Sequence, residues 1–224
     1  MRLVAVCGVL APITYSAALL FGHLAQPDAF SSADHAISDL GAETASQAWV
    51  YNQVGVNLTG GLVVVVGLGL WRALSPSLLG RLGAVAVTLA GLTLFLQGFF
   101  RLDCQAIDTG CENVSWHSDA HRFATGVSAV FILAAPIVLA FAFRRLPHWR
   151  DAWLPTLAVI PLSIAASVLF SFVGSGASNR AGAMTWLLWL AYIGLQLLRK
   201  DKAARRGLAS EPLTLAERRP ARSS

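Results

Sequence analysis

In 224 residues, hydrophobic side chains make up 55% and charged ones 13%, with a mean hydropathy of +0.60. That balance excludes an ordinary soluble domain, and membrane spans leave a chain this short little room for one. The net charge of +5 follows the placement of basic residues around the spans and is no sign of nucleic-acid binding.

Six apolar runs are long enough to cross a bilayer, at about 3–22, 50–71, 82–100, 119–143, 153–173 and 182–198. The expected fold is therefore all-α: a polytopic bundle of six transmembrane helices over 1–198. A basic tail, 199–224, is too polar and too short to fold alone and is expected to be disordered. The first run extends for about nineteen residues after Arg2, longer than the roughly 7–15-residue core of a signal peptide, and reads as a retained helix.

The loop after it, 23–49, carries His23, His35, Ser38 and Asp39. Helix 2 then holds Asn57 near its start and the Gly60–Gly61 pair, which suits close helix packing. Helix 3 is nearly free of charge until Gln97, Arg101 and Asp103. The second loop, 101–118, contains Cys104 and Cys111, a pair expected to form a disulfide on an oxidising face. Cys7, within helix 1, reads as a small core residue. The "NVS" at 113–115 matches a glycosylation sequon by pattern alone.

Ser115 is placed to N-cap helix 4. His117 and His121 then fall at i and i+4 on one face, which Ala124 and Ser128 continue as small residues. Both histidines are expected to face the bundle interior, toward Asp103 and the 35–39 segment. Their spacing suits two ligands of one metal and equally suits two unrelated histidines at an interface. Ser167 and Ser171 lie late in helix 5, and Asn179 and Arg180 are expected in the turn before helix 6.

Orientation follows from the Lys and Arg residues flanking the spans. With the N-terminus inside, fourteen of seventeen bases are cytoplasmic and eight of twelve acids are outside. The expected topology is thus N-in/C-in, in a multi-pass cell-membrane protein. The fifteen Arg against two Lys point to a bacterial plasma membrane. Polar groups concentrate in the outer half of the bundle, where they are costly unless they face the interior or a wet cavity. This implies an outward-facing polar pocket.

The order "HAISDLGA", "FFRLDC", a histidine opening helix 4 and an arginine before helix 6 resembles the membrane family catalogued as domain of unknown function 998. The resemblance covers about 5–198 and implies a six-helix membrane domain with no established activity. A more distant likeness in residue types links Ser38, His35, Asp103, His117 and His121 to the zinc sites of alkaline ceramidases and adiponectin-receptor relatives.

Two functions compete. The first is an integral membrane protein that binds a lipid or small solute through Asn57, Arg101, Arg180 and Asp39, with Arg101, Asp103 and Arg180 joined in an ion-pair network. Its partners are membrane lipids. The alternative is a zinc-type membrane hydrolase acting on a lipid ester or amide. There His35, His117 and His121 would hold the metal, Asp103 would be its base or orienting partner, and Ser38 would complete the site.

Overall fold

The computed structural model describes residues 1–209, with side chains described as far as Arg205. The described residues are helical, with no strand among them. Helix α1 spans Arg2–Leu24, α2 Thr59–Ala73, α3 Leu78–Gln97, α4 Trp116–Arg145, α5 Trp153–Ser171 and α6 Ser175–Ala209. A π-helical segment, Val50–Leu58, leads directly into α2, and short 3-10 turns lie at Ile37–Gly41 and Pro147–Trp149. All six helices, taking the π segment with α2, are long and apolar enough to span a membrane.

Each helix packs on its neighbours in the chain, and α1 closes the ring against α6. The start of α1, the far end of α6 and the turns at 74–77 and 146–152 share one end, here the terminal end. The segments 25–49 and 98–115 share the other, the loop end. Most of the largest fully buried side chains, among them Leu70, Leu139, Phe143, Leu190, Ile193 and Leu197, fill the terminal half. Helix contact is closest where side chains vanish. A Cβ on Gly91 of α3 would stand 2.9 Å from the Gly60 carbonyl oxygen and 2.8 Å from the Val64 nitrogen.

Three boundaries differ from the apolar runs. Helix α3 starts at Leu78, because Ser77 caps it by accepting from the Gly80 N–H at 3.1 Å. Helix α6 starts at Ser175, so Asn179 and Arg180 are helical and do not form a turn. The first loop makes this possible. It accepts from Ala177 N at Ala33 O (2.8 Å) and from Ser175 Oγ at Asp34 O (2.7 Å). The helix also continues past 198 to Ala209, so residues 199–209 of the basic segment are helical. Lys200 explains the hold: its Nζ donates to Asp151 at 2.6 Å and lies 5.1 Å over the Trp149 ring. The rest of that tail, 210–224, lies outside the described residues.

Candidate functional site

The helices do not fill the ring at the loop end. A cavity of about 400 Å³ lies there, bounded by α1, α3, α4, α5, α6 and the Ile37–Gly41 turn. Polar side chains gather toward the loop end: Ser38, Gln97, His121 and Asn179, then Thr125 and Ser128. Deeper, the wall is Leu94, Ile132, Leu133, Trp186 and Leu187. Tyr15 and Tyr51 also line it.

The wall is incomplete between α4 and α5. Thr125, Ala129 and Leu133 line the cavity one helical turn apart, yet all three are exposed. Helix α5 explains this. It buries only Thr156 and Val159, both near the terminal end, where the Trp189 indole donates to Thr156 Oγ1 at 3.3 Å. From Leu162 onward its large apolar side chains, Leu162, Ile164, Val168, Leu169 and Phe170, are all exposed. Beside α4 the cavity thus opens sideways, toward where lipid would be.

His121 is buried and lines the cavity, and Ala124 and Ser128 continue its buried face as the helical register requires. Its Nδ1 stands 2.7 Å from the Phe100 carbonyl oxygen. A carbonyl only accepts, so Nδ1 carries the proton and Nε2 is left as an acceptor. His117 departs from the expected inward pose. It is half-buried, does not line the cavity, and lies against Trp116 with ring centroids 3.7 Å apart. His35 packs on Phe30 at 5.1 Å, and its Nδ1 accepts from the Ser31 N–H at 2.9 Å. The zinc set of His35, His117 and His121 therefore does not assemble. Among the described residues, no group of three His, Cys, Asp or Glu side chains could hold a metal ion.

Asp103 has its carboxylate committed to the start of α4. It accepts from the Ser115 hydroxyl and from the Val114 and Ser115 N–H groups at 2.9 and 2.8 Å. The Ser115 hydroxyl, then the backbone donors, hold its carboxyl below the usual carboxylate range. A carboxylate so occupied is a poor base. The expected network of Arg101, Asp103 and Arg180 does not form either. Arg101 is exposed and stands 4.0 Å from Glu43, while Arg180 Nη1 donates to the His35 and Gly176 carbonyls at 2.8 and 3.0 Å.

Asn57 is buried away from the main cavity, beside a second, shallower hollow. Oriented so that its nitrogen donates to Phe95 O (2.7 Å) and Asn52 O (3.1 Å), it ties the π segment to α3. Asp39 is buried, and its Oδ2 has no partner among the described residues. Burial pushes its carboxyl above the usual range, while the nearby His35, the backbone donors of Ala106 and Ala36, and Arg180 pull the other way.

Two residues that the sequence left without this role hold the loops together, beside the expected disulfide. Asn113, read only as part of a sequon, accepts from the Asp103 and Cys104 N–H groups at 2.7 and 3.1 Å. Gln105 is buried and donates to Gln26 Oε1 (2.9 Å) and the Asp39 carbonyl (3.0 Å). Cys104 and Cys111 are joined in a disulfide with Cα atoms 6.2 Å apart. Closing so short a loop stabilises the fold by about 2.5 kcal/mol in the chain-entropy model. Cys7 is buried and unpaired among the described residues.

Fold and composition together define a helical, multi-pass membrane protein. The chain belongs to the family described as "Protein of unknown function (DUF998)", whose model matches residues 9–196. No curated protein and no solved structure matches it.

Proposed function

We propose that the protein binds a lipid or another small amphiphile in the cavity at its loop end, and that this end faces out of the cell. The observation that carries the reading is the cavity's gradient, polar at Ser38, Gln97, His121 and Asn179 and apolar from Leu133 to Leu187. Its volume, about 400 Å³, falls in the range typical of small-molecule sites, roughly 300–1,000 Å³. A purely structural void in a membrane bundle has no need of a polar end. Four polar side chains around an opening give one, at a cost that bound ligand or water offsets. The hydrolase alternative has no support in the geometry, since its three histidines point to different partners.

The test fills the cavity without disturbing the core. Ala129 lines it and is exposed, so Ala129→Trp places an indole in the opening rather than against a packed neighbour. Native mass spectrometry of the purified wild type should show retained lipid. The variant, with unfolding temperature unchanged within a few degrees, should lose about tenfold or more of it, a difference of 1.4 kcal/mol. Equal retention by both proteins rejects the site.

A further inference from the structure

The geometry points to an anionic amphiphile as the ligand, its phosphate or carboxylate head held by Arg180 and its chain leaving sideways between α4 and α5; this rests on the cavity being a binding site. Arg180 stands beside that cavity, between the lining residues Asn179 and Gly182 in α6, without lining it itself. Its Nη1 donates to the carbonyl of His35, the residue before the lining segment Ala36–Ser38. Its guanidinium is in electrostatic range of Tyr15 and Tyr51, both of which line the cavity.

Nη2 of Arg180 is fully buried and has no hydrogen-bond partner among the described residues. Buried donors on a charged group are seldom left unpaired, because the cost is more than that of a neutral orphan. Among the described residues no carboxylate pairs with it within 4.0 Å. Asp39 is in electrostatic range but makes no ion pair with it within 4.0 Å, and its own Oδ2 is also without a partner. The other two arginines of the loop end are already answered at the surface, Arg101 by Glu43 and Arg122 by Asp119 at 2.9 Å. A cation with an unpaired buried donor beside a cavity suits an anion, and guanidinium suits phosphate and carboxylate through paired N–H donors.

The cavity's other features decide the source of that anion. A free phosphate or short carboxylic acid would leave the apolar depth at Leu133, Trp186 and Leu187 empty. A lipid fills it, and the sideways opening past Thr125 and Ala129 lets its chain remain in the bilayer. Ser38, Asn179 and the acceptor Nε2 of His121 then face the polar linkage below the head.

The experiment compares two lipids with identical chains, dioleoylphosphatidylglycerol and dioleoylglycerol, titrated onto the detergent-purified full chain and read by native mass spectrometry. The wild type should prefer the phosphatidylglycerol by about tenfold, the value of one charge-assisted hydrogen bond. Arg180→Gln should bring the two within about twofold, whereas Arg101→Gln, which alters an exposed arginine, should leave the preference intact. Glycerol phosphate, the head without chains, should not compete at matched concentration; if it does, the ligand is a free phosphate ester and the lipid assignment is wrong. Equal binding of both lipids by the wild type overturns the inference even if Arg180→Gln fails to fold. That outcome leaves the cavity reading standing, whereas no binding of either lipid removes both.

Discussion

Two aspartates at the loop end illustrate opposite uses of a carboxylate. Asp103 is half-buried and consumed by donors at the start of α4, which hold its carboxyl below the ordinary value of 3.8. Asp39 is buried with an unpartnered oxygen, which pushes its carboxyl above 3.8. Their contributions to stability therefore run in opposite directions with pH. The stability Asp103 supplies is present above pH 3.8 and is lost as pH falls through its lower folded value. The ionised form of Asp39 costs stability, a cost that sets in as pH rises from 3.8 through its higher folded value. Asp103→Asn should thus lower the unfolding temperature at neutral pH, and Asp39→Asn should raise it. Both differences should shrink toward zero as the solution is acidified to about pH 3, followed by thermal unfolding in detergent. A neutral-pH gain for Asp103→Asn, or a loss for Asp39→Asn, contradicts these assignments. The sequence marked Ser38, Asp39, His121 and Arg180 as residues of interest, because polar groups near span ends are costly and rare. It did not separate binding from bracing. Asn57, Asp103 and His117 carry the same chemistry but spend it on Phe95, Ser115 and Trp116, contacts set by the path of the loops.

At the scale of elements, helix contact is set by where backbones touch. Gly60 and Gly91 face each other across α2 and α3, and Gly60 would bring a Cβ to 2.7 Å from the Gly91 carbonyl oxygen. Those neighbours are backbone atoms, which cannot turn aside. Gly91→Ala should therefore force α2 and α3 apart at a cost of about 1–3 kcal/mol. Gly61, next in the chain, is different: a Cβ there meets nothing within 4 Å. Gly61→Ala should be neutral or stabilise by about 0.5–1 kcal/mol, because alanine loses less backbone entropy in a helix. Denaturant titration of the two single variants checks both, and similar shifts in the same direction count against the packing account. The number and order of helices could be read from apolar runs alone, since a bilayer demands a minimum length. The ends could not. The polar start of α6, from Ser175 to Arg180, is helical because Ala33, Asp34 and His35 accept from it, and those acceptors come from a loop some 140 residues earlier in the chain. The same docking turns Asn179 toward the cavity and sets Arg180 beside it, so the element that shapes the candidate site is the one whose boundary the hydropathy pattern missed.

At the scale of the whole molecule, charge and chemistry divide the two ends of the bundle. An even number of spans puts both termini at one end, where fourteen of the seventeen Lys and Arg residues fall. The loop end has eight of the twelve acids and the Cys104–Cys111 disulfide. Short loops rich in Lys and Arg stay in the cytoplasm. A disulfide persists where the compartment is oxidising. These two arguments are independent, one resting on insertion and the other on redox poise, and both support the proposal that the loop end faces outside. Single cysteines introduced into 25–48 or 105–114 should then react in intact cells with a membrane-impermeant maleimide. Cysteines in 73–80 or 202–224 should react only after the cells are opened. The native background is low, because Cys7 is buried and the other two cysteines are joined. Labelling of the tail in intact cells would invert the molecule, put the cavity mouth in the cytoplasm, and leave the disulfide in a compartment that reduces it. The proposed lipid would then have to come from the inner leaflet, so this one measurement also fixes which leaflet Arg180 samples.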